Sequence, residues 1–370
     1  MNTELNEDVP VPETKRPRKP RAPANRTRAR KAIANPAKPA NPAAGLIAAL
    51  KFISVAQKKI GEIQSQYCMI TGGWIAAASE SFMIACKVQE DLNACPHTLQ
   101  FLEALLNCSE ELSIAQVSES LLSVKSGAFT GIVPCVPFSA LSLTAPDAPC
   151  ATIDDRVRVA IGNVCTVATE GAVNAAFGSV LLQRDSAVAT NGFAMLESWH
   201  GNDLPPAMLV PKQAALAIAK CGKTLTKFGY SGATATFYFE DESFIKVNLT
   251  QERYPNYSEV LDVLDLQFWA LPENFFQAVG IIEKFSEDGV VYLSKEGVFS
   301  GTNAELSSVY KVEGLLEEMS FPAKSLLQLK EHFGKADFSK GNRVFFVKDA
   351  TRGVLAAMSK SNYNPVPKTN

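Results

Sequence analysis

The sequence predicts an α+β protein built from three repeats of about 110 residues, each with two helices packed on antiparallel sheets. The first observation behind this fold class is a proline that precedes an apolar, helix-compatible segment three times. The three residues are Pro96, Pro211 and Pro322, which lie 115 and 111 residues apart. Proline suits the first turn of a helix, because the N–H that it lacks would have no partner there.

The second observation is a pair of strand-like segments upstream of each proline, interrupted by a short polar break. The breaks are Glu80-Ser81, Asn191-Gly192 and Thr302-Asn303, at nearly the same interval as the prolines. A polar break between two β-type runs indicates a hairpin. A further strand pair closes each repeat. A helix-compatible segment opens each one: LIAALKFISVAQKK, IGNVCTVATEGAVNAAF and ENFFQAVGIIEKFS.

These repeats divide the chain into a basic, proline-rich tail at 1–44, three domains at 45–148, 149–264 and 265–360, and a C-terminal tail at 361–370. The N-terminal tail contains eight prolines, ten Lys or Arg and four acidic residues. This composition predicts a disordered segment that contacts phosphates without sequence preference, the alternative being a simple linker. The rest of the chain carries 26 basic and 34 acidic residues, so the folded part is acidic.

Composition and motifs argue against several classes of protein. There is no apolar run of 18 residues and no apolar segment near the N-terminus, so we expect a cytoplasmic protein without a membrane span. The eight cysteines form no CxxC pair and most lie in apolar runs, which predicts buried, reduced thiols and no metal site. No GxxxxGK[ST], GxGxxG, GxSxG or HExxH motif occurs, so we predict no catalytic residues and no cofactor.

Four segments resemble the beta sliding clamps of bacterial replicative polymerases. AVATNGF at 187–193 resembles the family's VATDGHR-type hairpin, LVPK at 209–212 its IVPRK-type helix entry, and RYPNYSEV at 253–260 its RFPDYxxV-type loop. LLSVKSG at 121–127 resembles its LxVRSG strand. The chain departs from the family at Asn191, at Phe193-Ala194, in its basic tail and in its C-terminus. These departures favour a divergent, phage-like clamp.

The resemblance implies a DNA-clamp fold that forms a ring, encircles duplex DNA and tethers a replicative DNA polymerase for processive synthesis. Six repeats would close such a ring, so it implies a homodimer. It also implies a groove between the second and third domains that binds short peptides of the polymerase and the clamp loader. By matching positions, its lining would be Ala176, Thr190, Gly192, Met195, Pro255, Val260, Val354 and Ala356.

Lysines at helical spacing form a candidate DNA-facing set. Lys212 and Lys223 are eleven residues apart, which returns to one helix face, and Lys324 and Lys335 repeat this spacing. Diffuse positive charge would hold duplex DNA without reading its bases, although lysines also decorate ordinary solvated helices. The full candidate set is Lys51, Lys58, Lys59, Lys212, Lys220, Lys223, Lys324, Lys330 and Lys335.

Two alternatives to a working clamp stay open at this point. One is a non-enzymatic DNA-binding protein that acts through its basic tail and has an inert body. The other is a clamp-like decoy that binds a host polymerase or clamp loader without encircling DNA.

Overall fold

The computed structural model of this chain describes residues 41–303, 306–315 and 318–358. The described residues all belong to one compact unit. The predicted tail at 1–44 lies outside them except for 41–44, of which Ala44 already begins the first helix. The predicted C-terminal tail at 361–370 also lies outside the described residues.

The first repeat opens with a helix whose apolar face is visible in the sequence. Leu46, Leu50 and Ile53 recur at helical spacing and are fully buried. His97 caps the second helix, since its side chain accepts a hydrogen bond from the N–H of Gln100. The elements are α1 (Ala44–Ile53), β1 (Met69–Thr71), β2 (Trp74–Ala78), β3 (Phe82–Lys87), α2 (Thr98–Leu106), β4 (Leu112–Ser118), β5 (Leu121–Ser126) and β6 (Phe129–Pro134).

The second repeat has the same order, with one more strand at its start and one before its second helix. Pro211 ends that additional strand and directly precedes the helix, so it stands just outside the first helical turn and not within it. The elements are β7 (Pro149–Thr152), α3 (Arg156–Cys165), β8 (Ser179–Leu182), β9 (Ser186–Thr190), β10 (Ala194–Trp199), β11 (Met208–Pro211), α4 (Lys212–Lys220), β12 (Leu225–Tyr230), β13 (Thr234–Phe239) and β14 (Phe244–Asn248).

The third repeat follows a short helix and again has both additional strands. Pro322 ends the strand before the second helix, in the manner of Pro211. The elements are α5 (Ser258–Leu261), β15 (Trp269–Ala270), α6 (Phe275–Ile282), β16 (Val290–Ser294), β17 (Gly297–Phe299), β18 (Val309–Lys311), β19 (Met319–Pro322), α7 (Ala323–Leu329), β20 (Lys335–Asp337), β21 (Arg343–Lys348) and β22 (Thr351–Ala356).

The three predicted breaks fall between paired or consecutive strands of each repeat, namely β2 and β3, β9 and β10, and β17 and β18. The helix that opens the second repeat differs from the prediction. α3 begins at Arg156, five residues before the predicted segment, and ends at Cys165. The start of α3 was not predicted, because Arg156 and Arg158 interrupt the apolar pattern there. These arginines bind Asp154 and Asp155. The buried face of the helix consists of Val157, Ala160, Ile161 and Val164.

Two of the four sheets are shared between neighbouring repeats. A seven-stranded sheet, β1-β2-β3-β14-β13-β12-β7, joins the first repeat to the second through antiparallel pairing of β3 with β14. An eight-stranded sheet, β11-β8-β9-β10-β22-β21-β20-β15, joins the second to the third through β10 and β22. The three-stranded sheet β4-β5-β6 and the four-stranded sheet β18-β17-β16-β19 belong to the first and third repeats alone.

One hydrophobic core runs through all three repeats, where each pair of helices packs together and against the sheets. Phe101, Phe237 and Phe275 are fully buried, one in each repeat. Burial of such a side chain contributes about 1.5–3 kcal/mol to the free energy of unfolding. The predicted fold class is therefore confirmed: three repeats, each with two helices packed on antiparallel sheets.

The cysteines behave as the sequence predicts for six of their eight positions. Cys68, Cys86, Cys95, Cys108, Cys135 and Cys165 are buried free thiols, whereas Cys150 is exposed and Cys221 half-buried. Burial raises the pKa of the Cys68 thiol to about 12. Within the described ranges, no group of three or more His, Cys, Asp or Glu side chains could hold a metal ion. No helix in the described part of the chain is long and apolar enough to cross a membrane.

Candidate functional site

A groove of about 340 Å³ opens where the second and third repeats share their sheet. One wall comes from the second repeat and the other from the last two strands of the third. The lining residues are Phe177, Thr190, Gly192, Phe193, Ala194, Met195, Pro255, Val260, Asn342, Arg343, Val354 and Ala356.

The floor of this groove is a row of side chains on three adjacent strands, and the same row continues on a fourth strand to Phe345, which is buried and does not line the groove. Thr190 on β9 is paired with Met195 on β10, Met195 with Val354 on β22, and Val354 with Phe345 on β21. Directly paired residues point to the same face of a sheet and lie within contact distance. Met195, Val354 and Phe345 belong to one buried apolar cluster, so the groove has an apolar floor that the two repeats build together.

The turn between β9 and β10 shapes the rim of the groove. The Asn191 side chain accepts hydrogen bonds from the N–H groups of Phe193 and Ala194, at 2.9 and 2.7 Å. Gly192 has a φ of +88°, a left-handed conformation that favours glycine. This turn leaves the Phe193 ring 73% exposed at the mouth of the groove.

The segment around α5 also contributes to the groove. Asn256 holds the loop before α5, since its side chain bonds Glu259 at 2.6 Å and Ser258 at 2.8 Å. The loop places Pro255 in the groove lining, and α5 itself contributes Val260. The arrangement can accept apolar side chains from an extended ligand, with Arg343 providing a positive charge at one edge.

Seven of the eight residues assigned to this groove from the resemblance lie in its lining. The exception is Ala176, which is fully buried beneath the groove and does not line it. Ala176 lies in a tight turn where its N–H is bonded to the Asn174 side chain, and its neighbour Phe177 reaches the groove instead. The assignment of Ala176 as a lining residue is therefore wrong by one position.

Sequence reasoning missed five lining residues: Phe177, Phe193, Ala194, Asn342 and Arg343. The sequence did indicate a groove position for Phe193 and Ala194, because they directly follow the Asn191-Gly192 turn. It gave no such indication for Asn342 and Arg343, since they reach the groove only through the pairing of β21 with β22.

A second cavity of about 720 Å³ lies on the third repeat and shares Asn342 with the groove. Leu293, Phe299 and Met319 provide apolar wall, and Glu296 and Glu318 add carboxylates. The candidate site therefore consists of two neighbouring cavities, of which the smaller spans both repeats.

An ion pair with a buried carboxylate holds the two repeats together beside the groove, on the face of the shared sheet that carries Met195 and Val354. The Glu197 carboxylate on β10 accepts hydrogen bonds from Ser186 at 2.8 Å and from Arg352 on β22, and Arg352 also bonds Asp262 at 2.8 Å. The Glu197 side chain is only 5% exposed. Removal of one partner would leave a buried charge without compensation.

We expect Arg352→Met to lower the free energy of unfolding by about 3–5 kcal/mol, because Glu197 would stay buried without its partner. Arg184→Met is the matched control, since Arg184 and Asp203 form an ion pair in which both side chains are 75% exposed, and we expect a loss of about 1 kcal/mol or less. Urea unfolding of both variants measures the difference. Equal losses would contradict the structural role of the buried pair.

Six of the nine candidate DNA-facing lysines are exposed and lie at or near helices. Lys51 is on α1, Lys220 ends α4 and Lys324 is on α7. Lys58 and Lys59 follow the end of α1, and Lys58 lies 3.9 Å from Glu80. Lys330 begins the 3-10 turn after α7 and lies 3.6 Å from Glu331.

The predicted helical register is wrong for Lys223 and Lys335. α4 ends at Lys220 and Gly222 has a φ of +69°, so Lys223 lies beyond the helix, where its ammonium bonds Asp241 at 2.6 Å. Its Nζ also lies 3.6 Å from the centre of the Phe52 ring, between the first two repeats. Lys335 is exposed but begins strand β20.

Lys212 does begin α4, as predicted, but its ammonium is not free. Lys212 Nζ donates a hydrogen bond to the carbonyl oxygen of Ala168 at 2.5 Å. Lys212 and Lys223 are therefore engaged within the described part of the chain, and the four lysines do not form one repeated helix face.

No protein-family model and no curated protein sequence matches the chain. Solved structures do match it. The DNA polymerase III subunit beta of Pseudomonas aeruginosa is similar over 85% of this chain and 98% of that one, with a TM-score of 0.72 and 14% identity. The sliding clamp of Caulobacter crescentus is similar over 85% of this chain and 98% of that one, with a TM-score of 0.71 and 16% identity.

The Helicobacter pylori beta clamp, solved with a bound DNA ligase peptide, is similar over 85% of this chain and 97% of that one, with a TM-score of 0.70 and 15% identity. These identities are low, so the likeness concerns the fold. The resemblance found in four short segments is thus matched over most of the chain, and the protein has the fold of the bacterial DNA polymerase sliding clamps.

Proposed function

We propose that this protein is a DNA sliding clamp, a non-enzymatic ring that encircles duplex DNA and tethers a DNA polymerase. The observation that carries the proposal is the way in which neighbouring repeats join. The third strand after the first helix of one repeat pairs with the last strand of the next repeat. In this way β3 pairs with β14, and β10 pairs with β22.

Two strands in the same positions are left with an open edge among the described residues. They are β18 in the third repeat and β6 in the first, each at the end of its own sheet. Pairing of β18 in one chain with β6 in another would repeat the same junction. Because the contact is head-to-tail, two chains with six repeats would close it by rotation into a ring.

The solution mass of the full chain tests this closure. Light scattering at micromolar concentration should give twice the mass of one chain. A single-chain mass at every concentration would contradict the ring, and intact peptide binding in such a monomer would favour the decoy.

We propose that the exposed lysines at the helices contact DNA phosphates. The triple variant of Lys51, Lys220 and Lys324 to Ala should lower the slope of log K against log salt by about 0.9 for each phosphate that is no longer neutralised. The matched control replaces Lys125, Lys295 and Lys348, three exposed lysines in the strand regions, and should leave the slope unchanged. Binding titrations across a salt series distinguish the two, and equal slopes would exclude these helices as the DNA surface.

We propose that the groove between the second and third repeats binds short peptides of the polymerase and the clamp loader. Its apolar floor and exposed Phe193 suit apolar side chains, and the Helicobacter pylori beta clamp of the same fold was solved with a DNA ligase peptide. An extended peptide binds such a groove mainly through a few buried anchors.

A further inference from the structure

Among the residues that the structure describes, the first repeat shows no counterpart of a strand that the other two possess. In the second repeat, β7 precedes the first helix and pairs antiparallel with β12; in the third, β15 does the same with β20. The strands β12 and β20 each come first after the second helix of their repeat. Their counterpart in the first repeat is β4, which has no outer partner among the described residues.

The open edge of β4 is long enough to accept another strand. β4 has seven residues, against six in β12 and three in β20. Leu112 and Ile114 are only half-buried, and Val117 is 63% exposed. Proteins usually protect such an edge, because its free N–H and C=O groups are ready to pair with another chain.

The residues that directly precede α1 are poorly suited to pair with β4 in the way that β7 and β15, which directly precede the first helices of their repeats, pair with β12 and β20. They include Pro36, Pro39 and Pro42. In an antiparallel pair, alternate residues direct their N–H groups to the same neighbour, and these prolines occupy both even and odd positions. Whichever set faced β4, at least one donor would be missing.

Negative charge flanks the open edge at both ends. Glu110 and Glu111 precede β4 and Glu119 follows it, and all three are exposed. None of them forms an ion pair within the part of the chain that the structure describes. Lys125 on β5, opposite Ser113, is the one basic residue carried by the three strands of this sheet.

We propose that the outer edge of β4 binds an extended segment of a partner protein, which adds to the sheet as an antiparallel strand and carries Lys or Arg at its ends. Its alternate side chains would be apolar and would cover Leu112 and Ile114. The backbone hydrogen bonds would provide affinity for any sequence in which apolar residues alternate along the strand. The site is independent of ring closure, because closure uses the opposite edge of the same sheet, at β6.

Hydrogen exchange at the amides of Leu112–Ser118 tests the proposal with the full chain. The outward-facing amides should exchange fast in the free protein. A ten-residue probe peptide with alternating valine and threonine and two lysines at each end should slow their exchange at least tenfold at millimolar concentration. The same peptide with N-methyl groups on alternate residues should not.

Charge variants add a second readout for the same site. Replacement of Glu110, Glu111 and Glu119 by Gln should weaken binding of the probe peptide at least fivefold at low salt. The control replaces Glu80, Glu252 and Glu296, three exposed carboxylates away from β4, and should leave binding unchanged.

Three results would overturn the proposal. Slow exchange of the outward-facing β4 amides in the free protein, relieved by deletion of residues 1–40, would show that the chain fills the edge itself. Fast exchange that no concentration of the probe peptide slows would show that the edge accepts no strand. Equal loss of binding in both Gln variants would remove the assigned charge preference.

Discussion

An aspartate at Ile132 or at Val309 should convert two-chain rings into single chains. Ile132 on β6 is 55% exposed and Val309 on β18 is 46% exposed in one chain. In a ring, the neighbouring strand would cover both side chains. Burial of an unpaired carboxylate in such a junction costs several kcal/mol, and each closed ring contains the junction twice.

The matched control is Val117→Asp on β4, at the other edge of the same sheet. Val117 is 63% exposed, so the substitution is as polar and as accessible as the other two. Light scattering should give a single-chain mass for the Ile132 and Val309 variants and a two-chain mass for the control. Unchanged mass in all three would place the chain contact elsewhere.

Ala356→Trp should weaken peptide binding at least tenfold while the ring stays intact. Ala356 lies on β22 at the lining of the groove, and an indole there would occupy much of its 340 Å³. We expect the Kd of a decapeptide with leucine and phenylalanine anchors to rise at least tenfold, which corresponds to about 1.4 kcal/mol. Fluorescence anisotropy with a labelled peptide measures this change.

Ala350→Trp controls for the added indole, because Ala350 is an exposed residue of the turn between β21 and β22 and is absent from the groove lining. Its affinity for the peptide should equal that of the unaltered chain. Loss of affinity in both variants, or in neither, would exclude the groove as the peptide site.

The repeats were predictable because their signals are local. A proline before a helix and a polar break between strands depend on a few neighbouring residues, so Pro211, Pro322 and the Asn191-Gly192 turn lie at the boundaries that the sequence indicates. The groove residues were assigned from the resemblance, and positions within matched motifs, such as Gly192 and Pro255, lie in the lining of the cavity.

The misplaced residues share a dependence on distant contacts. Lys223 looked like a helix residue by spacing, but Gly222 ends the helical region and Asp241, eighteen residues later, binds the ammonium. Arg343 could not be found from the sequence, because its place in the groove depends on the pairing of β21 with β22 and on their junction with the second repeat. Spacing alone describes a local periodicity and not these tertiary contacts.

Retention on end-blocked DNA tests the encircling ring most directly. The full chain, fluorescently labelled, is allowed to thread onto linear duplex DNA, after which both ends are capped with a bulky protein and the salt is raised to 0.5 M. A chain lacking residues 1–40 is treated in parallel, because it separates the ring from binding through the basic tail.

A ring should remain on the capped DNA in high salt, with or without residues 1–40, and should leave as soon as a restriction enzyme opens an end. A protein held only by charge should leave capped and cut DNA equally fast, because salt weakens its phosphate contacts. Retention that depends on closed ends would establish encirclement, whereas equal loss from both substrates would contradict the sliding clamp.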